Sequence, residues 1–294
     1  MKAKVLFTKN ISPDSLVRIY EKLGVSLAGN VAFKVHSGEK GNQNFLHPEF
    51  MKKLVDKVKG TVVECNTAYP GARNESDKHQ ALLANHGWKK YFKVDLMDEV
   101  GPDYVLDIPS GNVLKKDYVG KNLVNYDSML VCSHFKGHPM GGFGGALKQL
   151  SIGCSSSAGK AWIHSAGRTL DQYNLWNDLP EQNKFLEAMA DAASAVDNYF
   201  KNNIVYINIM ANLSVDCDCC EVAEDPCMKD IGILASTDPI AIDQACIDLI
   251  KKSTDPGKNH FMERVNRQNG EYILDAARRL NFGTREYELI DIDK

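Results

Sequence analysis

The chain predicts an α/β fold: a mixed, largely parallel sheet flanked by helices. Short β-branched runs alternate with amphipathic stretches along its whole length. Polar clusters follow the strand-like runs at their C-terminal ends, where open α/β sheets place their ligands. No repeat, low-complexity tract or linker interrupts the alternation, so residues 1–294 read as one domain. Two subdomains meeting near residue 165 are the alternative organisation.

Residues 4–8 read as the first strand. Residues 12–23 read as a helix, with Ser12 as N-cap and Pro13 at the first position. Residues 30–36 alternate with period two, which puts Val31, Phe33 and Val35 on one face and Lys34 and His36 on the other. A helix over 48–59 leads to a β-branched strand over 61–67, then to a helix over 78–87 closed by glycine. Residues 103–108, 111–114 and 129–133 read as further strands. Helical spacing returns over 179–200, with Met189, Ala192, Ala193, Val196 and Phe200 in one stripe. Strands are expected over 204–213 and 230–235. Asp238 and Pro239 open an amphipathic helix over 238–252. A helix over 263–280 and a strand over 286–292 close the chain.

At 294 residues, with 44% hydrophobic and 25% charged residues, the chain has the composition of a globular protein with a substantial core. A net charge of −3 gives no basis for electrostatic binding to nucleic acid or to an anionic membrane. The opening apolar run, Val5 to Phe7, is too short for a signal peptide, so a cytoplasmic location is expected. A chain of this size does not need a disulfide scaffold, so the eight cysteines read as buried thiols, metal ligands or redox groups.

The densest chemistry lies over 133–153, SHFKGHPMGGFGGALKQLSIG. His134 and His138 stand four apart, but Gly137 and Pro139 oppose a continuous helix and place the pair in a loop. Imidazoles there can bind a metal or move protons. Gly144 and Gly145 precede a helix that carries Lys148, a pattern suited either to an anion cradle or to a tight structural turn. A dinucleotide fingerprint fails because Leu147 stands where the last glycine belongs. A P-loop ending at Lys160 fails on its spacing and on Ala161. No nucleotide cofactor is expected.

Three further clusters follow strand ends. His36 lies near Glu39, and Arg73 ends a loop rich in hydrogen-bonding groups, with His79 beyond it. Cys217, Cys219, Cys220 and Cys227 fall within eleven residues, dense enough for zinc or an iron–sulfur cluster. Their spacing matches neither zinc-ribbon nor ferredoxin patterns, so a labile dithiol or surface thiols is the competing reading. Asp243, one turn into its helix among apolar neighbours, is a candidate to orient a histidine.

Six segments together resemble the family called domain of unknown function 362. They are KVHSGE (34–39), NTAYPGAR (66–73), SHFKGHPMGGFGGALKQLSIGC (133–154), GKAWIH (159–164), CDC (217–219) and DIGILASTDPIAIDQA (230–245). Many relatives carry a ferredoxin-like insert between the segments resembling GKAWIH and CDC. This chain has no cysteine between His164 and Cys217, so the resemblance implies the core domain without that electron-transfer appendage. The family's activity is not established, and the resemblance implies a fold and a motif set rather than a reaction.

The resulting expectation is an enzyme with a His/Cys-lined, metal-dependent site for a small anionic substrate. His36, Glu39, His134 and His138 are the expected catalytic groups. Lys34, Arg73, Gly144, Gly145, Lys148 and Lys160 are expected to bind substrate, and Cys217, Cys219, Cys220 and Cys227 to hold a divalent metal (zinc or iron) or an iron–sulfur cluster. The alternative is an electron-transfer protein that uses the cysteine cluster and a redox partner protein.

Overall fold

The computed structural model describes residues 2–294. It opens with β1 (Ala3–Thr8), α1 (Pro13–Leu23), β2 (Val31–Lys34), α2 (Pro48–Val58), β3 (Thr61–Glu64), α3 (Ser76–Asn85), α4 (Trp88–Tyr91) and β4 (Val94–Leu96). A ribbon of β5 (Tyr104–Asp107) and β6 (Lys116–Val119) leads to the central strand β7 (Ser128–His134). A hairpin of β8 (Lys136–His138) and β9 (Gly142–Gly144) follows, then α5 (Ala146–Cys154), α6 (Ser157–His164) and α7 (Gln182–Phe200). The chain ends with β10 (Ile204–Met210), β11 (Gly232–Ser236), α8 (Pro239–Lys252), α9 (Lys258–Arg267), α10 (Tyr272–Arg279) and β12 (Tyr287–Asp291).

Local signals explain the helix ends. The Ser12 hydroxyl accepts from the Ser15 N–H, and Gly24 closes α1 in the left-handed region at φ 72°. The Asp238 carboxylate accepts from the N–H groups of Ile240 and Ala241, both at 2.9 Å, and starts α8. Each helix then buries one stripe. Leu16 and Ile19 of α1 join Met51, Leu54 and Trp88 on one face of the sheet. On the other face α5, α7 and α8 bury Leu147, Leu150, Val196 and Ile247. Full burial of each large apolar side chain contributes about 1.5–3 kcal/mol.

The eight sheet strands run in the order β12-β1-β11-β10-β7-β2-β3-β4. All neighbours are parallel except β11, which is antiparallel to both β1 and β10. From β2 the chain steps outward to β3 and β4; from β7 it steps the other way to β10. The order therefore reverses between β2 and β7, and a crevice opens beyond the carboxyl ends of the strands at such a point. No helix among the described residues is long and apolar enough to cross a membrane.

Three expectations change. Residues 111–114 form a turn rather than a strand. Asp191 of α7 accepts their amides, from Asn112, Val113 and Leu114, at 2.7–2.8 Å. The helix expected over 263–280 is two, because Asn269 takes φ 49° and breaks it before Gly270. His138 is not in an open loop: it sits on β8, whose Lys136 and His138 pair with Gly144 and Gly142.

Asp191→Ala leaves three turn amides without an acceptor, so a loss of at least about 3 kcal/mol is expected in urea unfolding. A loss under about 1 kcal/mol would show that the turn holds without this carboxylate.

Candidate functional site

The site is organised by a turn. In Cys217–Cys220 the Cys220 N–H donates to the Cys217 carbonyl at 2.9 Å. Asp218 between them is buried and meets the Lys136 ammonium at 2.9 Å and His134 Nδ1 at 2.9 Å. Burial opposes the Asp218 charge, but His134 and Lys136 outweigh it and hold the carboxyl below the usual carboxylate range. His134 Nε2 faces the Ala211 carbonyl at 2.6 Å. Both of its ring nitrogens face oxygen acceptors, and His134 anchors the turn with no nitrogen left for a metal or a substrate proton. Other segments grip the same turn: Glu39 N–H donates to the Asp218 carbonyl, Asn42 to the Cys217 and Cys220 carbonyls, and the Tyr69 hydroxyl to the Cys219 carbonyl.

A second set of expected site residues forms a buried wall of ion pairs. Lys34 Nζ meets Glu64 at 2.6 Å. The other Glu64 oxygen accepts from Ser37 N–H and Oγ at 2.8 and 2.9 Å, with Arg73 at 3.7 Å. Arg73 Nε also donates to Glu39 at 3.1 Å and its Nη2 to the Tyr69 hydroxyl at 2.8 Å. Glu39 further accepts from the N–H groups of Lys40 and Ala72. Lys34 is thus matched by Glu64, and Arg73 by Glu39 and Glu64, across the wall. Lys160 Nζ donates to the Ser155 carbonyl at 2.6 Å.

What remains free faces a narrow inner cavity of about 60 Å³, bounded by His36, His138, Lys148, Gln149, His164 and Cys219 among others. Backbone contacts set each ring's tautomer. His36 Nδ1 accepts from the Gly38 N–H at 3.1 Å, so its proton sits on Nε2. His138 Nδ1 accepts from Met140 and Gly141 at 3.2 and 2.8 Å, so it too carries the proton on Nε2. His164 is the reverse: its Nδ1–H donates to the Lys160 carbonyl at 2.7 Å and leaves a lone pair on Nε2. Burial, then Lys148, hold His138 down to about 4; burial likewise lowers His164 to about 4. Burial, Arg73 and Lys136 push His36 well below its ordinary value. The buried Gln149 Nε2 has no acceptor. Beyond Tyr69 and Cys219, which border both spaces, lies an open groove of about 830 Å³.

The sulfurs stand at the junction. Cys217 Sγ, Cys219 Sγ and a His138 ring nitrogen lie within 4.8 Å of one another, a spacing compatible with a metal ion. Cys217 is fully buried, with Lys148 Nζ at 3.7 Å from its sulfur. Burial opposes its ionisation, but the Cys219 thiol, Lys148, Lys136 and His138 together lower its pKa well below the ordinary thiol value. The Cys219 thiol is raised by its hydrogen bonds with the Cys217 and Cys220 sulfurs and by burial. As a third metal ligand His138 fits poorly, because the nitrogen nearest the sulfurs is the one that carries its proton, whereas metal-bound histidines donate from the other nitrogen. Cys227 stands apart with its thiol on the Leu213 carbonyl, so the four cysteines do not gather around one cluster.

The glycine cradle is filled from within the protein. Asp243 accepts from the N–H groups of Ala146 and Leu147 at 2.8 and 3.0 Å, so a carboxylate of the chain itself occupies the N-terminus of α5. A Cβ on Gly145 would stand 2.3 Å from Asp243 Oδ1. Gly145 thus serves close packing rather than anion binding, and Asp243 caps a helix rather than orienting a histidine. Sequence reasoning assigned no role to Lys136, Gln149, His164, Tyr69 or Asp218. The four-residue step from Lys160 to His164 and the acid set between two cysteines were the available signals.

His79, fully buried against Asn66 and Ser37, is held neutral at about 3, chiefly by burial and then by Arg73. The unfolded chain takes up this proton near 6.5. The associated stability is therefore full above 6.5 and is lost as pH falls toward 3, by up to about 1.4 kcal/mol per pH unit. In urea unfolding from pH 7 to 5, the stability margin of wild type over His79→Gln should shrink by that slope. A margin that does not change with pH would contradict the assignment.

The family model described as Domain of unknown function (DUF362) matches residues 31–248. No curated protein matches the chain. Among solved structures, the lactate racemase apoprotein from Thermoanaerobacterium thermosaccharolyticum superposes with a TM-score of 0.42 at 13% identity, over 71% of this chain and 51% of that one. A structural-genomics protein from Thermotoga maritima gives 0.45 at 10% identity, over 87% and 58%. The chain thus spans little more than half the length of either, and likeness of this degree says nothing of its activity. The family match runs from β2 through most of α8 and takes in the ion-pair wall, the hairpin and the cysteine turn. On that ground the chain belongs to the domain of unknown function 362 family.

Proposed function

We propose that this protein is an enzyme acting on a small anionic molecule at the inner cavity, with the Cys217–Cys219 sulfur pair and His138 as its reactive groups. The observation that carries this reading is the unmatched donor set around the cavity. Gln149 Nε2 is buried without an acceptor, and the Lys148 ammonium has only a sulfur at 3.7 Å. His36 and His138 present N–H groups, by the tautomers their backbone partners impose. A buried donor left without a partner costs about 1–3 kcal/mol, so an acceptor-rich ligand relieves a standing penalty. His164 Nε2 supplies the one histidine lone pair at the cavity and suits a proton acceptor. All eight cysteines are unpaired, which fits a reducing compartment such as the cytoplasm.

A soft divalent metal is the second reading, favoured by the 4.8 Å convergence of the two sulfurs and His138. Native mass spectrometry after addition of zinc separates the two. Stoichiometric zinc that is lost in His138→Gln supports the metal, and its absence leaves the sulfurs as the reactive groups.

Alkylation tests the leading reading. Iodoacetate should modify Cys219 at least about 10-fold faster than neutral iodoacetamide, against their intrinsic order, because the cavity cations draw in its carboxylate. Inorganic phosphate should protect the site, and Lys148→Met should abolish the preference. Equal rates that do not respond to phosphate or to residue 148 would overturn the proposal.

A further inference from the structure

Cys219 differs from every other cysteine of the chain in bordering two spaces at once, the narrow inner cavity and the open groove. Its neighbour Cys217 is fully buried behind it, with the two sulfurs within 4.8 Å. The backbone of the turn that carries them is held by Asp218, Asn42 and Tyr69. Both sulfurs sit on one turn, closed by the Cys220 N–H on the Cys217 carbonyl, and disulfide closure takes them from within 4.8 Å to about 2.05 Å. An accessible sulfur in front of a buried one is the arrangement that two-step thiol–disulfide exchange requires.

We propose that Cys219 and Cys217 form a redox couple that reduces a small disulfide bound in the open groove. The proposal rests on the reading of these sulfurs as reactive groups and adds the class of reaction. The groove falls within the size range of small-molecule sites and carries Lys40, Lys78 and Glu221 along its walls. Charges of both signs suit a zwitterionic disulfide such as an oxidised cysteinyl peptide. Cys219 attacks one sulfur of the disulfide while its proton passes to Cys217. The substrate S–S bond breaks, and one half leaves as thiolate while the other stays on Cys219. Cys217 gives up the proton to the departing thiolate, and its own sulfur attacks Cys219 Sγ. The second half leaves as thiolate and the Cys217–Cys219 disulfide closes. Two electrons move from the protein dithiol to the substrate, and the shared proton ends on one of the two product thiols. The Lys148 ammonium beside Cys217 and the N–H of His138 steady the buried sulfur while it is anionic.

The test uses the reduced full-length protein in a metal chelator, titrated anaerobically with glutathione disulfide. Expected are two glutathiones released per chain and a Cys217–Cys219 disulfide found by peptide mapping. Cys217→Ser should stop at a glutathione adduct on Cys219, cutting release of the second glutathione by about 100-fold or more. Cys219→Ser should not react, and Cys220→Ser should still close the Cys217–Cys219 disulfide. Closure between Cys219 and Cys220, or a stable adduct on the wild-type protein, would overturn the proposal. Reduction of insulin disulfides without reduction of glutathione disulfide would overturn the small-molecule occupant. A Lys148-dependent iodoacetate preference at Cys219 without disulfide closure would leave the anion-site reading standing and remove this one alone.

Discussion

The Asp218 carboxylate, closed by Lys136 and His134, is the interaction on which the rest of the site depends. It joins the end of β7 and the start of β8 to a turn more than eighty residues later in the chain. The backbone of the same residue receives the Glu39 N–H, which adds the loop after β2. Three distant segments thus meet at one buried aspartate. Removing one partner of such a pair typically costs about 3–5 kcal/mol, because the other charge stays buried and unmatched. The geometry of the sulfurs follows from this clamp rather than from the cysteines themselves.

Around the clamp, charges divide by whether they are matched. Lys34 with Glu64, Arg73 with Glu39, and Lys136 with Asp218 are paired in nearly water-free surroundings. Desolvating each ion costs several kcal/mol, so each pair holds only because its geometry returns that energy. These pairs make the wall stiff and leave it little capacity for a ligand. Lys148, Gln149 and the N–H faces of His36 and His138 are the exceptions, and they line one small space. Their location at the reversal of strand order, between β2 and β7, is where a parallel sheet leaves a crevice.

Much of the fold was legible. Ser12 with Pro13 and Asp238 with Pro239 mark helix starts because their chemistry is local. Residues 111–114 misled, since an apolar run between polar flanks looks like a strand whether or not a distant Asp191 takes its amides. Residues 263–280 misled because their periodicity continues across a break made by the backbone of Asn269. At the candidate site, the sequence marked the segments that converge but not which of their side chains are matched within the protein. His134 and His138 look equivalent in SHFKGH, yet one is spent on a carboxylate and a carbonyl while the other faces the sulfurs. Gly145 could equally admit a ligand or a side chain, and only the approach of Asp243 from α8 decides between them.

Read alone, the sequence determined the α/β class, the alternation of elements, the caps and the set of segments that meet at strand ends. Each of these depends on neighbours within a few residues or on a period of 2 or 3.6. Tertiary structure decided which charges are matched, which histidine nitrogen carries a proton and which cysteine borders two spaces. Those properties are set by carbonyls, amides and carboxylates that arrive from far along the chain, and no local pattern encodes their direction. The dense segment between Ser133 and Gly153 therefore marked the place of the candidate site, and the clamp on Asp218 arranged the parts within it.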